Sequence, residues 1–244
     1  MEIIRNCSHY SSIQTAVDLD RNAVPVRVVK TAFTEDGARA IRKEHEGILW
    51  YERRLNSAPG AVISLVNYKH TFSRLELAYR NGRPGDLTLS LAKNYKKIYN
   101  ALNHSIEVFR KEDSPYNHGD YSIDNILFNE DDVVWILDWE NFNDKLPREF
   151  DIVYCVMEAV YFCYKRKNML MANDVDAAIN LLKYGIGRLN MPYDQIVRKP
   201  ASYMRKLFLD NKSIFNSQIM KYPLVNCPYE DILALDAIFN KRVA

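Results

Sequence analysis

The sequence predicts an α+β chain: a small, strand-rich first part carrying one helix, then a larger, mostly helical second part. Three observations carry that prediction. Residues in the first third alternate between apolar and polar at the period of a β-strand. The run Asn81-Gly82-Arg83-Pro84-Gly85 then breaks any regular element. Beyond it the apolar spacing becomes helical, interrupted by a compact two-strand pattern between Tyr116 and Trp139. The expected division is residues 1–80, a hinge at 81–85, and residues 86–244.

Taken in order, the β-rich runs are Glu2 to Ile4, Ile13 to Leu19, Val26 to Phe33, Ala61 to Tyr68 and Arg74 to Tyr79, each rich in β-branched or aromatic residues. Between the third and fourth, a helix is expected from about Asp36 to Leu55, because Ile41, Ile48, Tyr51 and Leu55 recur at helical spacing. A second helix is expected from about Asp86 to Arg110. After the two-strand pattern, the chain from Phe150 onward is mostly helical, with breaks near Pro192, Pro200, Pro223 and Pro228.

Length and composition narrow the function classes. At 244 residues the chain suits one two-lobed domain or two small, closely packed ones, and 48% hydrophobic residues suffice for a sizeable core. The 33 basic and 31 acidic residues leave a formal charge of +2, which argues neither for a nucleic-acid binder nor for a strongly acidic partner, so no nucleic-acid partner is expected. Basic residues do gather at Lys93, Lys96, Lys97, Arg110 and Lys111, either as a solvated helix face or as a peripheral membrane contact. No run approaches the roughly 20 apolar residues of a membrane span, and Met1 to Arg5 does not read as the start of a signal peptide. Cys7, Cys155, Cys163 and Cys227 lack metal or redox spacing, so a cytoplasmic protein with free thiols is expected.

The chemistry sits in one run, Asn117-His118-Gly119-Asp120-Tyr121-Ser122-Ile123-Asp124-Asn125. It closes on Ile126-Leu127-Phe128, and a turn leads into Val133-Val134-Trp135-Ile136-Leu137-Asp138. Phosphoryl transfer needs a carboxylate near the acceptor hydroxyl and oxygen ligands for magnesium, and little covalent chemistry besides. Asp120, Asn125 and Asp138 supply such groups, with Asp138 at the end of an apolar strand that would hold it rigidly.

This pattern, His-x-Asp-x-x-x-x-Asn followed by a hydrophobic strand ending in Asp, resembles the catalytic and metal-binding loops of the protein-kinase-like fold. His118-Gly119-Asp120, with Asp138-Trp139-Glu140 further on, resembles the aminoglycoside phosphotransferase and choline kinase branch. The resemblance implies a bilobal fold with a small antiparallel-sheet first lobe and a larger helical second lobe. It further implies that Asp120 is the catalytic base, that Asn125 and Asp138 bind magnesium, that His118 orients the loop, and that Asp151 caps it. ATP and magnesium are the implied co-substrate and metal.

That fold also requires a strand lysine paired with a glutamate on the next helix. Lys30 is the lysine. Glu44 shares the apolar helix face of Ile48, Tyr51 and Leu55 and is expected to point inward, whereas Glu46 falls on another face. Backbone groups near Leu77 to Tyr79 are expected to meet the adenine edge. The phosphate loop departs from the pattern: no glycine precedes Gly37, and Ser8-His9-Tyr10-Ser11-Ser12 stands in its place, with Ser11 and Ser12 as expected phosphate contacts. There is no Ala-Pro-Glu after Asp138 and no long activation segment, which points to a small-molecule acceptor such as a sugar, an amino alcohol or an aminoglycoside-like compound. The acceptor would meet the region 150–244, rich in Tyr154, Tyr161, Tyr164, Lys165, Arg166 and Lys167. The alternatives are a lipopolysaccharide-core-type sugar kinase at a membrane surface, a nucleotide-binding pseudokinase, and a kinase directed at protein.

Overall fold

In the computed structural model, which describes residues 2–5, 13–56, 61–68, 70–110, 114–167, 170–215 and 223–243, the chain divides into two compact units. The first is Met1–Asn81 with Asp138–Phe142; the second is Gly82–Leu137 with Asn143–Ala244. The boundary at Asn81 falls inside the glycine-proline break. The short return of Asp138–Phe142 to the first unit is a feature that a single division at 81–85 does not provide.

The first unit is an antiparallel sheet carrying one long helix. Strands β1 (Glu2–Arg5), β2 (Ile13–Leu19), β3 (Pro25–Ala32), β4 (Ala61–Tyr68) and β5 (His70–Ala78) lie in the order β1-β2-β3-β5-β4. Helix α1 (Glu35–Arg54) intervenes in sequence between β3 and β4. Thr34 starts it by accepting a hydrogen bond from the Gly37 amide at 3.1 Å; acidic residues fill its first turn and Arg53 and Arg54 its last, each matched to the helix dipole. Ala38, Ile41, Glu44, Ile48 and Tyr51 form its buried face. Strand β5 starts four residues earlier than expected, since Tyr68 pairs with His70 and no Gly, Pro, Asn or Asp between them marks the reversal.

The second unit begins with a small ribbon, β6 (Arg83–Pro84), β7 (Ile126–Asn129) and β8 (Asp132–Ile136). Helix α2 (Leu91–Phe109) precedes β7 in the chain, capped by Ser90 and buried along Leu91, Ile98, Leu102 and Phe109. Helix α3 (Phe150–Lys167) is buried on every side from Phe150 to Val160, where a mostly apolar run, interrupted only by Asp151 and Glu158, makes it the central helix. Against it pack α2, α4 (Ala172–Arg188), α6 (Pro200–Asp210) and α8 (Pro223–Asn226), with α7 (Lys212–Phe215) adding Phe215, while α5 (Asp194–Arg198) and α9 (Tyr229–Val243) pack on α4 and α6. Phe150, Tyr154, Phe208 and Phe215 form the aromatic centre of this core, with ring centroids 5.1–6.0 Å apart. No helix among the described residues is long and apolar enough to cross a membrane. Cys155, Cys163 and Cys227 are buried free thiols, while Cys7 lies outside the described residues.

Candidate active site

In the first unit three ionisable side chains meet. Strand β3 carries Lys30, held in register opposite Thr15 of β2 and Leu75 of β5. Its ammonium donates to both Glu44 carboxylate oxygens at 2.7 and 2.8 Å and to Asp138 Oδ1 at 2.8 Å. Glu44 is 3% exposed, Lys30 17% and Asp138 41%, so the group is buried at the glutamate and open at the aspartate. Glu46 is exposed, as its place on the helix requires. Burial works to lower the Lys30 pKa, but Asp138 and Glu44 outweigh it and hold the ammonium above its ordinary range. Burial also pushes the Glu44 carboxyl up, against the pull of Lys30. Two short hydrogen bonds to one ammonium favour the ionised pair.

Asp138 reaches this position through a left-handed backbone (φ 59°, ψ 59°), a conformation that costs a non-glycine residue about 1 kcal/mol or more. The turn that follows, Trp139–Asn141, over-determines it. Trp139 is fully buried, with its ring 5.0 Å from Tyr51, 6.1 Å from Trp50 and 5.8 Å from Phe142.

In the second unit the loop from Asn117 to Asn125 is fixed from beneath. Asp151, in the first turn of α3 and fully buried, accepts the His118 amide at 2.7 Å and the Gly119 amide at 2.9 Å. Gly119 has φ +82°, so only a glycine passes this point without strain. The His118 ring is buried; its Nε2 lies 2.7 Å from the Leu137 carbonyl, and its Nδ1 accepts the Asp120 amide at 3.2 Å. Those partners place the proton on Nε2, since a carbonyl accepts and an amide donates. His118 is thereby fully used in holding the Asp120 backbone. The Asn125 side-chain amide donates to the Asp120 carbonyl at 3.0 Å, so the remaining donor atom of that side chain is Oδ1, a hard oxygen. The Asn125 carbonyl accepts the Leu137 amide at 2.8 Å, and Asp138 is the next residue along the chain.

Sequence reasoning missed three supports of this loop. Arg110 is buried, donating to the Tyr116 carbonyl at 2.8 Å and to Asn117 Oδ1 at 2.5 Å. It therefore does not belong to a basic surface patch: it closes the end of α2 by satisfying loop oxygens. Of the other expected patch residues, Lys96 pairs with Asp131 at 3.0 Å, Lys97 lies over the Phe128 ring, and Lys111 is outside the described residues. Glu158 and Tyr154 of α3 are the other two supports. The Tyr154 hydroxyl donates to Glu158 at 2.7 Å, and burial together with Asp120 and Asp124 keeps the Glu158 carboxyl well above its usual range. Helical spacing from Asp151 was the available signal, since residues 151, 154 and 158 share one face.

The remaining expected residues fall as follows. Leu77 lies in β5, paired with Val28 on one side and Ala61 on the other, and the Tyr79 amide donates to the Val26 carbonyl at 3.1 Å. The Tyr79 amide is thus engaged within the sheet. Ser11 and Ser12 lie outside the described residues. Among the aromatic residues of 150–244, Tyr154 belongs to the core, while Tyr164 and Lys165 are tied to Asp231. Among the described residues no three His, Cys, Asp or Glu side chains gather as a metal-binding group.

No protein-family model matches the sequence, and no curated protein matches it. Solved structures do match in fold. One is the amicoumacin kinase hAmiN in complex with AMP-PNP, Ca2+ and Ami, at 10% identity over 98% of this chain and 87% of that one, with a TM-score of 0.57. Another is the GDP and kanamycin complex of APH(2″)-IIia, at 11% identity over 98% and 94%, with a TM-score of 0.52. At such identities the likeness shows the fold: a protein-kinase-like α+β fold with a small antiparallel sheet and a larger helical part, as the sequence led one to expect.

Proposed function

We propose that the chain is a small-molecule kinase, moving the γ-phosphate of ATP to a hydroxyl of a sugar, an amino alcohol or an aminoglycoside-like acceptor. The observation that carries this reading is the buried Lys30–Glu44–Asp138 group, since a lysine pinned between two carboxylates beside an exposed aspartate oxygen suits phosphate and metal together. The likeness to an amicoumacin kinase holding AMP-PNP and Ca2+ supports it.

In this reading Lys30 holds the α- and β-phosphates, and Glu44 keeps its ammonium in place. Asp120, its backbone fixed by His118 and Asn125, accepts the proton of the acceptor hydroxyl. The acceptor oxygen forms a bond to the γ-phosphorus as the bond to the β-phosphate oxygen breaks, and ADP leaves. Asn125 Oδ1 and the Asp138 carboxylate are the hard oxygen donors that would hold magnesium, which supplies charge neutralisation on the phosphates when bound. Both are hard oxygen donors of the kind that magnesium takes. The intact set Lys30, Glu44, Asp120, Asn125 and Asp138 argues against a pseudokinase, and the absence of a long segment after Asp138 argues against a regulated protein kinase. A cytoplasmic enzyme is the setting that suits an ATP-dependent reaction.

The test is a screen of sugars, amino alcohols and aminoglycosides for acceptor-dependent ADP release, repeated on Asp120→Asn. Transfer is expected to fall by about 10²–10⁴ in the variant while nucleotide binding persists. Equal activity in Asp120→Asn would sink the assignment of the base.

A further inference from the structure

We propose that Gly47 is a positioning residue for Asp138. By carrying no side chain it seats α1 directly on the Trp139–Asn141 turn, which locks the metal ligand, Glu44 and Lys30 into one rigid group. The proposal rests on the reading of Asp138 as a magnesium ligand given above.

Glycine is unfavourable in the middle of a helix, so its presence there needs a packing reason. Here the reason is on the opposite surface. A Cβ added at Gly47 would lie 2.8 Å from Trp139 Cβ, 2.9 Å from Trp139 Cε3 and 3.0 Å from Phe142 Cβ. Carbon atoms rest about 3.5–4.0 Å apart, so a single methyl would drive helix and turn apart by roughly 0.5–1 Å. Two of the three atoms are Cβ carbons, which move only with the backbone, so no change of rotamer relieves the contact. Tyr51 packs on Trp139, and Trp50 lies 5.5 Å from the Phe142 ring, which closes the contact on both sides.

Both ends of the Lys30 group hang from this contact. Glu44 precedes Gly47 by three residues on the same buried face of α1. Asp138 is bonded to Trp139 and already sits in a left-handed conformation, so displacement of Trp139 must be absorbed at Asp138. Helix α1 therefore cannot move without moving the metal ligand.

The experiment uses the full chain and reads the magnesium concentration that gives half of the ATP-induced rise in melting temperature. Gly47→Ala is expected to raise that concentration about tenfold, the range seen when a support behind a metal ligand is disturbed. Leu235→Ala, which opens a cavity in the α9 core, is the control: it lowers the melting temperature and leaves the magnesium requirement where it was. A parent-like magnesium requirement in Gly47→Ala overturns the proposal. Should that variant fail to fold, Trp139→Phe replaces it and must move the requirement in the same direction, with no movement overturning the proposal. A parent without any magnesium-dependent shift would defeat the proposed function instead. The contact is then judged by tryptophan emission in a Trp135→Phe background, where Gly47→Ala must shift the emission of Trp50 and Trp139; an unchanged spectrum overturns it.

Discussion

Replacing Lys30 with methionine takes the cation away from a carboxylate that stays buried. Methionine matches the length of the lysine stem, so the loss is electrostatic: two hydrogen bonds to Glu44 and one to Asp138. Breaking a buried ion pair by removing one partner costs about 3–5 kcal/mol. With Lys30 17% exposed, the lower end applies, about 3 kcal/mol. For a chain of this size each kcal/mol lowers the melting temperature by about 2–4 °C, so a fall of roughly 6–12 °C is expected. The deficit also depends on pH. Without Lys30 the folded Glu44 carboxyl rises further above its unfolded value of about 4.3, so the folded state keeps a proton the unfolded chain has released. Stability then falls as pH rises from about 4.3 through the folded pKa, and the variant loses more at pH 7 than at pH 5. Adding Glu44→Gln removes the stranded charge and returns part of the loss. Urea unfolding of the parent, both single variants and the double variant at pH 5, 6 and 7 measures all of this in one cycle. A Lys30→Met protein with the parent's midpoint at pH 7, or a deficit indifferent to pH, would refute the reasoning.

Asp151→Asn puts an amide nitrogen against one of two backbone N–H groups, so it should lose about 2–3 kcal/mol in urea unfolding and slow any transfer reaction. Parent-like stability would contradict the account of the loop. His104, half-buried on α2, has its imidazole lowered to about 4 by burial, while the unfolded side chain titrates near ~6.5. The unfolded chain binds the proton first, so stability should rise with pH between about 4 and 6.5, by about 1–3 kcal/mol. His104→Gln should flatten that slope when unfolding midpoints are compared across the window.

Much of the fold was legible because its signals are local. The period-2 runs of β2 and β3, the apolar face of α1, and the break at 81–85 each need only their own residues to be read. The inward turn of Glu44 followed from helix geometry alone, given Ile48 and Tyr51 on the same face. What was not legible depends on partners far apart in sequence. Arg110 is the exception in distance: Tyr116 and Asn117 are only six and seven residues on, but no periodic pattern marks their return to its guanidinium, so it looked like one more surface cation. Tyr154, at helical spacing, read either as an acceptor-site aromatic or as a core ring, and only Phe208, fifty-four residues on, decides for the core. The Tyr79 amide could be judged only once the register of β5 against β3 was known. Gly47 was invisible for the same reason: its meaning is the Trp139 ring, ninety-two residues later in the chain.

The most direct test of the central claim is a melting-temperature titration with ATP and with GTP, each with and without magnesium, on the parent and on Asp138→Asn. A ligand that binds the folded state stabilises it by mass action, about 2.7 kcal/mol at a hundred times its dissociation constant, or roughly 5–11 °C here. The account predicts a magnesium-dependent rise in the parent and loss of its magnesium-dependent part in Asp138→Asn. No rise in the parent at millimolar nucleotide, or an equal rise with and without magnesium, would contradict it.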